Sequence, residues 1–229
     1  MKAAAAKAAA PKSKGAAHRF IVVEGPIGVG KTSLAQRLAV TLSAELVLEQ
    51  AAQNPFLERF YRNPRVGAFP AQLAFLFQRA QQLTALAQQD LFAPVRVADY
   101  LFEKDRLFAR VTLDEAEYAL YEQVHAKLDI RAPKPDLVIY LQAPVDVLLE
   151  RIARRGIDFE QRIERAYLTR LNEAYARFFH EYDAAPLLIV NAATIDPISS
   201  QADYDELAAT ISRMKRGRLY YNPLRHRVI

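Results

Sequence analysis

Eight residues near the start of the chain, Gly25-Pro26-Ile27-Gly28-Val29-Gly30-Lys31-Thr32, restrict its fold more than any other feature. An apolar run at 19–24 leads into them and an amphipathic pattern at 31–43 follows. Strand, glycine loop, lysine, hydroxyl and helix in that order are the context a phosphate-binding loop requires. The glycines let successive backbone N–H groups turn inward around phosphate oxygens, and the helix N-terminus adds partial positive charge. This reading places Gly25, Gly28, Val29, Gly30, Lys31, Thr32 and Ser33 around the triphosphate of ATP. Lys31 then bridges the outer phosphates, and the Thr32 hydroxyl holds the Mg²⁺ that accompanies the nucleotide.

A strand that feeds such a loop implies neighbours of the same kind. Short β-branched or aliphatic runs recur at 45–49, 95–99, 136–142 and 186–191, separated by segments with apolar residues three and four apart at 31–43, 66–89, 114–128, 145–155 and 162–182. Strands alternating with helices predict a three-layer α/β fold around the phosphate loop: a five-stranded parallel sheet between two helical layers. Ligands of such sheets lie beyond the carboxyl ends of the strands. Glu24, Glu49 and Asp99 close three of the five runs, so chemistry is expected there.

Charge divides the chain into a body and a leader. The net charge is +5, but residues 1–19 carry five basic side chains, Lys2, Lys7, Lys12, Lys14 and Arg19, and no acid. Without them 26 basic face 26 acidic residues. The Ala/Lys-rich segment 1–18 lacks helical amphipathicity and reads as a disordered leader. A single domain at 19–220 is expected, followed by a basic, proline-interrupted stretch over 213–229 that reads as surface, with 221–229 as a C-terminal extension. A neutral body without aromatic interleaving in its basic tail argues against a sequence-specific nucleic-acid reader. With no cysteine, no membrane-spanning apolar run and no secretory signal pattern, a cytoplasmic protein without membrane partners is expected.

A phosphate loop serves GTPases, ATP-driven motors and small-molecule kinases alike. The chain has no Asn-Lys-x-Asp motif for guanine and is short and helix-rich for a motor domain, which favours a small-molecule kinase. More specific is the segment Glu49-Gln50-Ala51-Ala52-Gln53-Asn54-Pro55-Phe56-Leu57-Glu58-Arg59-Phe60-Tyr61, with Pro64 and Ala68-Phe69-Pro70-Ala71-Gln72 after it. Together with the phosphate loop, Asp99 to Arg106, and Arg151 to Glu160, it resembles the deoxyribonucleoside kinase family, particularly its bacterial deoxyadenosine and deoxyguanosine kinases. The resemblance runs from about 19 to about 220.

The resemblance implies ATP-dependent phosphorylation of a deoxyribonucleoside 5′-hydroxyl, tilted toward purines, in a homodimer. Glu49 looks like the general base that receives or orients the hydroxyl, Tyr61 and Glu160 like the pair on the sugar 3′-hydroxyl, and Asp99 like the acid that helps Thr32 hold Mg²⁺. Gln72 and Arg79, seven residues apart and so on nearly one helix face, look with Asp105 like the group that reads the base. Phe69, Phe75 and Phe108 are candidate stacking surfaces. Arg151, Arg154 and Arg155 look like lid arginines that close over ATP, in a lid around 151–160, with Lys31, Arg151 and Arg155 carrying the transferring charge.

The family pattern is broken in two places. Tyr100 stands after Asp99 where an arginine is usual, and Arg106, a helical turn or so further on, is the candidate replacement. Ile157 occupies a second arginine position. Two rival readings stay open: a nucleoside monophosphate kinase of the thymidylate kinase type, and a non-catalytic ATP-binding or nucleic-acid-binding module.

Overall fold

The structure is a computed structural model that describes residues 18–87, 95–128, 130 and 132–223. Most of the leader and the last six residues, 224–229, therefore lie outside the described residues. The chain runs β1 (Phe20–Glu24), α1 (Lys31–Leu42), β2 (Glu45–Val47), α2 (Leu57–Arg62), α3 (Pro64–Ala87), β3 (Arg96–Ala98), α4 (Lys104–Thr112), α5 (Glu115–Lys127), β4 (Leu137–Gln142), α6 (Val145–Arg155), α7 (Arg165–Glu181), β5 (Leu187–Asn191), α8 (Gln201–Arg213) and β6 (Arg218–Tyr221).

The strands form one parallel sheet in the order β2-β3-β1-β4-β5-β6. A parallel sheet buried on both faces needs strands that are apolar throughout, and Phe-Ile-Val-Val and Leu-Val-Ile-Tyr-Leu meet that need. Alternate side chains supply two cores. Ile21, Val23, Leu137, Ile139, Leu188 and Val190 pack with Leu34 and Leu38 of α1, Leu148 and Ile152 of α6, and Leu207 and Ile211 of α8. On the other face Val22, Val138, Tyr140 and Ile189 meet Leu83 of α3, Leu107 of α4, and Leu171, Tyr175 and Phe179 of α7.

Six strands replace the five expected. β6 falls inside the stretch read as surface extension and pairs with β5 over Leu187↔Arg218 to Val190↔Tyr221. Four residues on an edge, three of them exposed, carry no alternation a sequence pattern can reveal. The predicted strands are also shorter at their ends: β2 stops at Val47 and β3 at Ala98, which leaves Glu49 and Asp99 on the loops just beyond. Helices α2, α4 and α8 were not predicted. The predicted helix at 66–89 begins earlier, with Pro64 as its first residue, and its last two positions lie outside the described residues.

Strand order places the phosphate loop. Chain from β1 crosses to β2 on one side while β3 returns to β4 on the other, so the loop after β1 opens at the point where the winding reverses. The loop's entry is tight: Gly25 has φ +148°, and a Cβ there would lie 2.3 Å from the Leu141 carbonyl oxygen of β4. No residue with a side chain fits so close to a neighbouring strand.

Candidate active site

The phosphate loop is preformed. Gly30, with φ 103°, caps the N-terminus of α1. The Lys31 ammonium donates to the carbonyl oxygens of Gly25 (2.8 Å) and Pro26 (3.1 Å). Burial and the neighbouring Lys104 ammonium lower the Lys31 pKa to about 8, against the attraction of Glu24, Glu49 and Asp99.

Asp99, just beyond β3, ties the loop to the opposite wall. Its Oδ2 accepts from the Thr32 hydroxyl (2.5 Å), and its Oδ1 accepts from the backbone N–H of Glu49 (2.7 Å). The Glu49 side chain then meets two cations. Oε1 accepts from Arg79 Nε (3.1 Å) and from its Nη2, and Oε2 accepts from Lys104 Nζ (2.8 Å). Burial alone would raise the Glu49 pKa, but Lys104 and Arg79 outweigh it and hold the carboxyl well below the usual carboxylate range.

Arg79 reaches inward from α3 to Asp105 on α4 as well as to Glu49. Burial opposes its charge, yet the two carboxylates push its pKa above the ordinary value. Asp105 is fully buried, accepts also from the Tyr121 hydroxyl (2.9 Å), and has a pKa raised by burial against the pull of Arg79. Gln72 is buried on α3, and among the described residues its Oε1 has no hydrogen-bond partner. Phe75 lies under the Arg79 guanidinium, 4.9 Å from ring centroid to Cζ. Phe108 packs edge-on against Tyr175, and Phe69 joins the small core around Leu76 and Tyr121.

A second wall comes from α2 and the segment 151–160. Tyr61 stacks on Phe159 at 5.9 Å between centroids, and its hydroxyl pKa is raised by burial, then by Tyr167 and Glu160. Glu160 is ion-paired with Arg155. The Arg151 guanidinium donates to Val29 O of the phosphate loop (3.1 Å) and Ala192 O beyond β5 (2.7 Å). Arg151, Arg154 and Arg155 line the same cavity as Gly28 to Leu34 and the segment from Ala192 to Ser199.

Thus hydrogen bonds bring Glu49, Arg79, Asp99 and Asp105 together, Gln72 is buried on the same helix as Arg79, and Tyr61 and Glu160 share a wall. Arg106 does not join them: it is half exposed and pairs with Glu122 at 3.1 Å. Lys104 takes the place next to Glu49, while Tyr100, where an arginine was expected, sends its hydroxyl to Gln82 Oε1 (2.8 Å). Sequence reasoning noted Glu24 as a strand-end carboxylate and Asn54 within the 49–61 segment, but gave neither a role. Glu24 is fully buried at the end of β1 and accepts from Gly25 N (2.8 Å), Leu101 N (2.6 Å) and the Tyr175 hydroxyl (2.9 Å). Asn54 donates to Ala71 O (2.9 Å) and accepts from Phe56 N (3.0 Å), fixing α2 against α3. A polar residue amid the apolar pattern was the available signal for both.

A phosphate loop facing a carboxylate held between two cations, on a parallel sheet of this order, defines a phosphoryl-transfer enzyme of the P-loop kinase fold. Residues 21–215 match the family described as Deoxynucleoside kinase, and the chain belongs to that family. It is 33% identical over 201 residues to a deoxyguanosine kinase of Bacillus subtilis, covering 85% of this chain and 97% of that one. It is 32% identical over 203 residues to a deoxyguanosine kinase of Lactobacillus johnsonii, covering 82% and 88%. The deoxyadenosine kinase of M. mycoides, solved with bound dATP, superposes with a TM-score of 0.74 at 23% identity over 85% of this chain and 99% of that one, and so shares the fold.

Proposed function

We propose that this enzyme transfers the γ-phosphoryl group of ATP to the 5′-hydroxyl of a purine deoxyribonucleoside, in nucleotide salvage. The observation that carries the reading is Asp99, which joins the Thr32 hydroxyl on the phosphate loop to the backbone of Glu49, so that donor loop and acceptor carboxylate are held by one side chain. In the transfer the bond from the nucleoside O5′ to the γ-phosphorus forms, the bond from that phosphorus to the β,γ-bridging oxygen breaks, and ADP leaves. The hydroxyl proton is lost toward Glu49.

Glu49 orients the nucleophile. A carboxylate this acidic is a weak proton acceptor, and phosphoryl transfer asks mainly for an aligned hydroxyl and compensated charge. Gln72, Arg79 and Asp105 read the base: the unpartnered Gln72 Oε1 is an acceptor waiting for a donor, and the Arg79–Asp105 pair offers a donor and an acceptor side by side. Tyr61 and Glu160 take the sugar 3′-hydroxyl. Gly25, Gly28, Val29, Gly30, Lys31, Thr32 and Ser33 hold the triphosphate. Arg151 braces the loop that carries it, and Arg155 moves from Glu160 toward the phosphates when the lid closes.

The hard oxygens of Thr32 and Asp99 suit Mg²⁺, whose remaining positions phosphate and water would fill. Bound there, the ion would neutralise charge on the phosphate oxygens. The same proposal places the enzyme in the cytoplasm as a homodimer, on its likeness to the family; among the described residues no helix is long and apolar enough to cross a membrane.

The test is transfer from Mg-ATP to deoxyadenosine, deoxyguanosine, deoxycytidine and thymidine, with dAMP and dTMP beside them. Turnover of a purine nucleoside is expected. Turnover of a monophosphate alone overturns the reading, because the Glu49 carboxylate then faces an anionic acceptor it should repel.

A further inference from the structure

We propose that Lys104 is a further catalytic residue, which holds Glu49 and gives its remaining ammonium N–H groups to the transferring phosphoryl group. This rests on the kinase reading above.

Three observations converge on it. Lys104 is 3% exposed, a depth at which an ammonium is retained only when something compensates its charge. Glu49 Oε2, at 2.8 Å, is its hydrogen-bond partner among the described residues, whereas an ammonium carries three donors. The Phe108 ring lies 5.5 Å from Nζ. Two donors thus remain for a ligand, on a lysine bonded to Glu49, whose backbone Asp99 ties to Thr32 of the phosphate loop. A buried cation with spare donors on that wall suits a polyanion held by the loop.

The local fold explains why this lysine arrives there. Glu24 pins the N–H of Leu101, and α4 starts at Lys104 itself, directly before the Asp105 that holds Arg79. The same short segment therefore sets both cations against the two oxygens of Glu49. Arg79 meets Oε1 and is otherwise committed to Asp105, whereas Lys104 meets Oε2 and has no other hydrogen-bond partner among the described residues. Of the two, Lys104 is the one free to follow the phosphoryl group as charge spreads over its oxygens.

The test compares wild type, Lys104→Met, Lys104→Arg and Lys104→Ala in steady-state transfer from Mg-ATP to deoxyguanosine and deoxyadenosine, with thermal melting and calorimetric nucleoside binding on each. Lys104→Met is expected to lose about 100- to 1000-fold in kcat, the scale of removing one electrostatic stabiliser. Its nucleoside KM should stay within about threefold, as for a contact made mainly in the transition state. Lys104→Arg should recover much of the loss, and propylammonium should raise the rate of Lys104→Ala. An active wild type alongside a Lys104→Met variant that keeps more than about a fifth of its kcat, or loses only in KM, overturns the role of Lys104 alone. A variant that does not melt cooperatively or bind nucleoside is set aside for Lys104→Arg and the amine rescue, where a normal Lys104→Arg and no rescue would likewise overturn it. A wild type that phosphorylates no nucleoside overturns the kinase reading itself.

Discussion

At the scale of single residues, ionisation states separate the roles in the site. Glu49 is held below the carboxylate range by Lys104 and Arg79 against the cost of burial, so it stays ionised at neutral pH. A carboxylate whose folded pKa is depressed adds stability that is fully present above its unfolded value near 4.5 and is lost as pH falls through the folded pKa. Activity should therefore show no acid limb from Glu49 between about pH 5 and 8. Glu49→Gln should lose nearly all kcat, by about 1000-fold or more, with little change in nucleoside binding, read by steady-state kinetics against calorimetry. Full turnover in that variant would remove Glu49 from the reaction.

Lys31 behaves in the opposite sense. Burial and Lys104 bring its pKa to about 8 from 10.5, so keeping it charged below pH 8 costs the free protein stability, a cost that fades as pH rises toward 10.5. A triphosphate favours the charged form. ATP affinity should be constant below pH 8 and fall above it, by about tenfold at pH 9, with uptake of a proton on binding. Titrating ATP by calorimetry in buffers of different ionisation enthalpy checks both; an affinity flat to pH 9.5 would contradict the assignment.

Between elements, α2 and α3 approach closely where they cross. A Cβ on Gly67 would lie 2.4 Å from the Cα and from the backbone nitrogen of Phe60, so the two helices touch through backbone. Tyr61 rides on α2 and Gln72 on α3, and Asn54 bonds the chain before α2 to Ala71 O. Gly67→Ala must push α2 outward and carry Tyr61 away from Gln72 and Arg79 of α3. Nucleoside KM should rise about tenfold or more while ATP KM stays near the wild-type value, as expected when a sub-ångström displacement spoils positioning. An unchanged nucleoside KM would show that Tyr61 does not bind the substrate.

Across the whole molecule, Glu24 joins parts that are far apart in sequence. It sits at the switch point of the sheet and bonds the phosphate loop, the turn before α4 and, through Tyr175, the long helix α7. Glu24→Gln keeps the shape but sets an amide N–H₂ against at least one of these donors. The loss should be about 3 kcal/mol in a urea titration, the cost of a buried donor left without its acceptor. A change below about 0.5 kcal/mol would show that water replaces the carboxylate.

How much of this was legible in the sequence follows from the reach of each interaction. The phosphate loop, the two buried central strands and the long helices are periodic or contiguous features, so Gly25 to Thr32 were legible one segment at a time, whereas Glu49, Gln72 and Arg79 were picked out by the family resemblance of their segments. The substitution of Lys104 for Arg106 was not. Successive helical residues turn by about 100°, so the side chains of 104 and 106 leave α4 on different sides, and only the packing of α4 against α3 and α7 selects which one meets Glu49. The same holds for β6, whose four residues become a strand because β5 offers them an open edge, and for Glu24, whose three donors come from three separate segments. Local spacing determined what the chain can bind, since a phosphate loop is complete within eight residues. Which cations compensate the acceptor carboxylate was decided by the tertiary structure, because burial of a charge is settled by partners the chain brings from elsewhere.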